Sequence, residues 1–160
     1  MIVVSDSSPL IALSAVDRLD LLQILFDTVI IPVSVRDEVM GMAAKITVEL
    51  PSFIHVEPVA AELPVRFLKL NLHAGESEAI ALALERGIKG IILDDKQARE
   101  IADELGLKVI GTLGLLILAK RKGLLSEVRP VIVKIIEGVN FRIAPSVLNR
   151  ALSLIDEAPL

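Results

Sequence analysis

Short apolar runs alternate along the chain with longer segments of helical periodicity. The apolar runs have the lengths of buried strands and lie at residues 2–5, 29–31, 54–56, 90–93 and 109–110. Three of the helical segments end at Gly87, Gly106 and Gly123, where glycine typically closes a helix. Strands and helices in alternation are typical of a parallel sheet covered on both faces. The pattern therefore predicts an α/β fold with a central, mainly parallel sheet flanked by helices.

Two helix starts carry capping signals. Ser8 followed by Pro9 is interpreted as an N-cap with proline at the first helical position. Ser34 with Asp37 is interpreted as a capping box for a helix from about residue 35.

We see no repeat, linker or low-complexity segment, so residues 1–160 are expected to form a single domain. Its core is expected at about 2–123. A C-terminal extension at about 124–160 is expected to contain helices near 128–137 and 145–156.

Composition narrows the class of protein. Hydrophobic residues make up 53% of the 160 residues, more than in a typical soluble domain, so we expect an apolar interface in a homodimer or higher oligomer.

The longest strongly apolar stretch, 109–119, is too short to cross a bilayer, and the start of the chain lacks a basic signal-peptide region. The absence of cysteine excludes thiolate metal sites. A cytoplasmic protein without membrane association is expected.

The charge balance argues against nucleic-acid binding through bulk electrostatics. The net charge is −4, and the chain has four Phe but no Trp or Tyr on which bases would stack. A nucleic-acid substrate would therefore depend on a metal ion and a local basic patch. Candidates for that patch are Lys96, Arg99 and the run 120–122, although ordinary helix surface charge is the simpler explanation.

Four carboxylates occupy predicted strand ends or helix starts. Asp6 and Asp95 follow strands, whereas Glu38 and Glu76 lie on helices. Each alone has an ordinary explanation as a cap, a helix-dipole residue or a solvated charge. Functional residues of α/β sheets gather at the carboxyl ends of the strands, so we expect the four to converge. Clustered carboxylates repel one another, and Mg²⁺ or Mn²⁺ would relieve the repulsion and support phosphodiester hydrolysis by a bound water.

Two of the four assignments have a neighbouring alternative. Glu76 lies in line with an apolar helix stripe and is preferred to Glu78, which faces a more exposed direction. Asp94 and Asp95 are adjacent after a strand, so only one of them is expected to point squarely into a cleft.

Four segments together resemble the PIN-domain superfamily, closest to the branch related to VapC-type toxins of bacteria and archaea. They read VVSDSSPLIAL, IIPVSVRDEV, HAGESEAIALALERG and IILDDKQAREIADELGLKVIGTLGLL, and they cover roughly residues 2–123. The resemblance implies a PIN fold, a Mg²⁺- or Mn²⁺-dependent endoribonuclease acting on RNA, frequent homodimers and, for a toxin, an antitoxin protein as partner.

The resemblance also implies roles for particular residues. Asp6, Glu38, Glu76 and Asp95 match the four metal-binding and catalytic acids of the family, and Ser8 matches the polar residue that assists the first acid.

The chain departs from the family pattern at two places. Leu93 stands where the motif T-x-D has its threonine, which removes a supporting hydroxyl, and Asp94 is expected to compensate in part. Glu76 stands where the toxins usually have Asp.

Two other functions remain as alternatives. Leu93 and the low overall charge favour a catalytically degenerate PIN-like binding or regulatory module. A phosphoacceptor receiver-like domain is disfavoured because its acid pair would follow the first strand, whereas here the pair falls late.

Overall fold

One sheet, parallel throughout, organises the computed structural model, which describes residues 1–42 and 50–160. The described residues contain five strands, β1 (Ile2–Ser5), β2 (Thr28–Pro32), β3 (Ile54–Glu57), β4 (Gly90–Ile92) and β5 (Lys108–Ile110). Their order is β3-β2-β1-β4-β5, and every neighbouring pair is parallel. The predicted α/β fold is confirmed. The order differs from the 2-1-3-4-5 order of receiver domains, which excludes that alternative.

The described residues also contain nine helices, most of them close to the predicted positions. They are α1 (Ser7–Ala15), α2 (Asp20–Leu25), α3 (Val33–Met42), α4 (Glu62–Leu68), α5 (Ala74–Glu85), α6 (Lys96–Glu104), α7 (Thr112–Arg121), α8 (Arg129–Val139) and α9 (Pro145–Ser153). The part of the chain that the structure describes has no helix long and apolar enough to cross a membrane.

Both predicted capping signals are wrong. Helix α1 begins at Ser7 with Asp6 at its N-cap position, so Ser8 and Pro9 lie inside the first turn. Proline is tolerated there because the first N–H groups of a helix have no partner within the helix. Helix α3 begins at Val33, directly after β2, so Ser34 lies inside the helix instead of capping it.

The two faces of the sheet bury separate apolar clusters. Val3 packs with Leu10 of α1 on one face, and the next residue, Val4, packs with Ile80 of α5 on the other. This alternation follows from the two-residue period of a strand, and burial of each such side chain stabilises the fold by roughly 1.5–3 kcal/mol.

The C-terminal helices cover the first of these faces. Helix α8 contacts α1, and α9 contacts α7. The proposed boundary between a core at 2–123 and an extension at 124–160 within one domain stays a prediction.

Candidate active site

Asp6 lies where β1 ends at the carboxyl edge of the sheet. It occupies the N-cap position of α1, but its side chain makes no capping hydrogen bond. Its N–H donates to the Ile92 carbonyl oxygen at 3.1 Å, which ties the residue to β4. The side chain is buried, with 4% of the residue exposed. The carboxylate is therefore held in the interior without making the side-chain capping bond that its position would allow.

Burial raises the pKa of Asp6 to about 7, although the Ser7 backbone N–H lowers it. The charges of Glu76, Glu38 and Asp94 raise the pKa further, in that order. The same three carboxylates therefore lie near enough to oppose ionisation of Asp6.

Glu38 of α3 faces Asp6 across the start of α5. The Ser7 hydroxyl donates to Glu38 Oε2 at 2.5 Å and lies 3.5 Å from Asp6 Oδ1. The Gly75 N–H donates to Glu38 Oε1 at 3.2 Å. A Cβ at Gly75 would lie 2.7 Å from Glu38 Oε1 and 2.9 Å from Asp6 Oδ1, so an alanine there would displace at least one of the two carboxylates.

Glu76, in the first turn of α5, lines a cleft together with Asp6, Asp94 and Asp95, whereas Glu38 does not line it. Its Oε2 accepts a hydrogen bond from the His73 N–H at 3.1 Å, so it also caps its own helix. Burial raises its pKa, His73 lowers it, and the charge of Asp95 raises it. Glu78, the alternative at this position, lies 3.7 Å from Lys69 Nζ and away from the cleft.

Asp94 and Asp95 both line the cleft but differ in burial and partners. The Oδ1 and Oδ2 atoms of Asp94 accept hydrogen bonds from the N–H and hydroxyl of Thr112, at 2.7 and 2.6 Å. Burial raises the pKa of Asp94, while Thr112, Ser8 and Arg99 lower it. Asp95 is exposed and caps α6, with Oδ1 accepting from the Ala98 N–H at 2.9 Å. The charge of Asp94 raises the pKa of Asp6, and the charge of Asp95 raises the pKa of Glu76.

The family resemblance implies that Ser8 assists Asp6, but in the structure the two serines after Asp6 contact different acids. Ser7 contacts Asp6 and Glu38, whereas the Ser8 side chain interacts with Asp94. The hydroxyl that Leu93 lacks is provided to Asp94 by Thr112. Leu93 itself is fully buried.

Arg99 belongs to this supporting structure more than to a free basic patch. Its Nη1 donates to the Leu93 carbonyl oxygen at 3.1 Å, and its charge lowers the pKa of Asp94. Lys96 is exposed and pairs loosely with Glu100, at 3.8 Å.

A cleft of about 340 Å³ opens above the acids and has a wall that the sequence did not predict. Residues 139–142, where α8 ends, form that wall and line the cleft together with Asp6, Glu76, Asp94 and Asp95. Thr112 had a detectable signal, because it is a polar residue following a predicted strand. The wall had none, because nothing in its local sequence relates it to residue 6.

The acids suit a hard divalent cation in chemistry but are not arranged around one. All of the donors are carboxylate oxygens, which Mg²⁺ and Mn²⁺ prefer. Among residues 1–42 and 50–160, however, no three acidic or histidine side chains are grouped closely enough to hold one ion. Glu38, Glu76, Asp94 and Asp95 all accept hydrogen bonds from the protein. The donor set therefore fits such a cation, and side-chain rotation would be needed to surround it.

Comparison with known proteins identifies the family. No curated protein shows significant similarity to the chain. A family model described as a PIN domain matches residues 2–157, which include every acid of the cleft. Because that match spans nearly the whole chain, the protein belongs to the PIN-domain family, whose members are generally nucleases.

Proposed function

We propose that the protein is a divalent-metal-dependent endoribonuclease that hydrolyses RNA phosphodiester bonds, and that it acts as a VapC-like toxin. The observation that carries the proposal is the position of Asp6. This carboxylate is buried at the end of β1, makes no capping bond and lies near three other acids. Such repulsion costs stability in the metal-free protein, and a bound divalent cation would offset it.

We propose Asp6, Glu38, Glu76 and Asp95 as the residues that hold Mg²⁺ or Mn²⁺, with Asp94 and Ser8 in support. A bound cation would supply Lewis acidity and a water of lowered pKa. The protein contributes the positions of its carboxylates. Ser7 and the Gly75 N–H hold Glu38 towards Asp6. Thr112 holds Asp94 beside them.

Self-association and an antitoxin complete the proposal. Helix α4 and the residues after it expose Leu63, Phe67 and Leu70, each with at least 67% of its surface accessible. Exposed apolar side chains in a chain that is 53% hydrophobic favour a homodimer, a higher oligomer or a bound antitoxin. An enzyme acting on cellular RNA would work in the cytoplasm.

The test is cleavage of labelled single-stranded RNA by wild type, Asp6→Asn and Asp37→Asn, each with Mg²⁺ or Mn²⁺ and with excess EDTA. Asp37 is a matched control because it neighbours Glu38 but is exposed and pairs with Arg36. We expect Asp6→Asn to lose roughly a thousandfold in rate and Asp37→Asn to retain activity. Wild-type rates in Asp6→Asn, or cleavage in excess EDTA, would contradict the proposal.

The second candidate function is a catalytically degenerate PIN-like binding module. It is favoured by the hydrogen bonds that engage the acids and by the absence of a three-ligand group among the described residues. Calorimetric titration with Mn²⁺ separates the two functions. A nuclease should bind the ion, and Asp6→Asn should weaken binding, whereas a degenerate module should bind little in either form.

A further inference from the structure

The connection between α8 and α9 separates the acidic cleft from a second, larger groove. This groove has a volume of about 640 Å³, and it shares Asp94, Asp95, Phe141 and Arg142 with the acidic cleft. A ligand whose reacting group lies at the acids can therefore extend past Arg142 into the groove.

We propose that this connection, residues 140–144, binds the RNA strand. Arg142 contacts a phosphate next to the one that is cleaved, and Phe141 contacts an unpaired base. The inference rests on the proposed function, and it explains how an acidic protein with few aromatic residues binds its substrate.

Arg142 has the properties of a phosphate-binding residue. It is exposed on the walls of both cavities. Within the described parts of the chain, no carboxylate forms an ion pair with it. The Arg142 guanidinium is therefore available to a ligand, and its planar donor fork suits a phosphate.

The groove beyond Arg142 combines positive charge with apolar walls. Lys96 and Arg142 line it as exposed cations, and Arg99 lines it while donating to the Leu93 carbonyl oxygen, so three cations and two acids share the groove. The net charge of the lining residues is therefore negative in the acidic cleft and positive in the groove. A positive groove suits a ligand that carries several phosphates in a row.

The apolar wall favours a single strand over a duplex. Phe141 lines the groove together with aliphatic side chains, which are Val109, Ile110, Leu113, Ile117, Ile143 and Val147. An unpaired base can stack on an aromatic ring and bury its faces against such a wall, whereas the bases of a duplex are already stacked on one another.

The connection is anchored to the core on both sides of Arg142. Helix α8 ends at Asn140, whose φ of 52° reverses the chain in the left-handed region that asparagine tolerates better than most residues. Phe141 and Ile143 are half-buried and pack against the core cluster on that face of the sheet. Arg142 lies between these two anchors, so its backbone position is set by the fold.

The test measures binding of a fluorescein-labelled single-stranded RNA of mixed sequence by anisotropy, in Ca²⁺ and at several salt concentrations. The proteins are wild type, Arg142→Gln, Arg142→Lys and Arg150→Gln. Arg150 is a matched control because it is exposed on α9 and lines neither cavity. Calorimetric titration with Mn²⁺ on each protein reports on the acids separately.

We expect Arg142→Gln to bind RNA about tenfold more weakly than wild type, and its salt dependence to fall by about 0.7 on a log–log plot, as for one phosphate contact of a single strand. Arg142→Lys should recover part of the affinity, Arg150→Gln should match wild type, and all four should bind Mn²⁺ alike. Duplex RNA should compete poorly.

Equal RNA binding by Arg142→Gln and Arg150→Gln would overturn the inference, as would efficient competition by duplex RNA. An altered Mn²⁺ affinity in Arg142→Gln with unchanged RNA affinity would assign Arg142 to the acids instead. Wild type that binds no RNA would also overturn it. Wild type that binds RNA through Arg142 but does not cleave it with Mn²⁺ would contradict only the proposed function.

Discussion

The Thr112 hydroxyl donates a 2.6 Å hydrogen bond to Asp94, 18 positions earlier in the chain. The Thr112 N–H donates to the other oxygen of the same carboxylate at 2.7 Å. The first residue of α7 thereby holds the side chain that follows β4. The turn between β5 and α7 is consequently part of the acidic site, although it carries no acid itself.

Replacing Thr112 by valine should test this relationship with little change in volume. Thr112 is fully buried, and Thr112→Val removes one charge-assisted hydrogen bond from Asp94. We expect the free energy of unfolding to fall by about 1–3 kcal/mol, as measured by urea denaturation. Thr112→Ser keeps the hydroxyl and should lose less. Equal stability of the valine variant and wild type would show that the bond contributes nothing net.

Asp6→Asn should stabilise the metal-free protein at neutral and alkaline pH. Asp6 ionises near 3.8 when unfolded and near 7 in the fold. Between these values the folded protein keeps a proton that the unfolded chain has lost, so stability falls as pH rises. Asparagine removes this cost. We expect a gain of roughly 2–4 kcal/mol at about pH 8 and little gain at about pH 4.

Urea denaturation in EDTA at both pH values measures the effect, with Asp37→Asn as the control. Asp37 is exposed, so its replacement should not produce the same dependence on pH. A gain that is equal at both pH values would show that the effect does not come from ionisation of Asp6.

Gly75→Ala should separate the metal site from the stability of the fold. The new Cβ would lie 2.7 Å from Glu38 Oε1 and 2.9 Å from Asp6 Oδ1. Glu38 is exposed and can rotate away, whereas Asp6 is buried and can move less, so we expect the free energy of unfolding to fall by about 1 kcal/mol. Mn²⁺ affinity should nevertheless fall at least about tenfold, as measured by calorimetry. The control is Gly41→Ala, where a Cβ meets nothing within 4 Å. Unchanged Mn²⁺ affinity in Gly75→Ala would place the ion elsewhere.

Glu157→Gln should weaken the attachment of the C-terminal helices in a pH-dependent way. Glu157 accepts hydrogen bonds from Lys120 Nζ, the Val128 N–H and the Arg129 N–H, at 2.6, 2.8 and 2.6 Å. Burial opposes ionisation, but these bonds outweigh it and lower the pKa of Glu157. The stabilisation is therefore present above the unfolded pKa of about 4.5 and is lost as the pH falls through the lower folded value.

We expect Glu157→Gln to lose about 2 kcal/mol of unfolding free energy at neutral pH, and less in acid, by urea denaturation. Glu127→Gln replaces an exposed acid nearby and should have little effect. A loss that is independent of pH would show that the ionised carboxylate is not responsible.

The sheet could be predicted because its information is local. Val3 and Val4 each lie in a short apolar run, and such runs alternating with helices leave few arrangements other than a parallel sheet. The helix starts were harder to predict. Ser8-Pro9 resembles a cap in isolation, but β1 ends at Ser5 and the helix begins as soon as the chain turns.

The acids were predicted from their places at strand ends and helix starts and from the family resemblance, but neither source predicted the residues around them. Ser7 contacts Glu38 across 31 positions of sequence, and Thr112 contacts Asp94 across 18. Arg142 reaches the cleft only because α8 packs on α1. No local pattern encodes such contacts, since they arise from packing between distant segments. Whether the four predicted acids bind metal stays a prediction.

The wall at residues 139–142 also has a consequence for the order in which the protein is made. Asp6 is synthesised well before residues 139–142, which line the cleft beside it. When the last strand, β5, has been synthesised, the chain therefore has the acids of the cleft but does not yet have Arg142. If the wall binds RNA, the growing chain lacks that contact until α8 has been synthesised and has packed on α1.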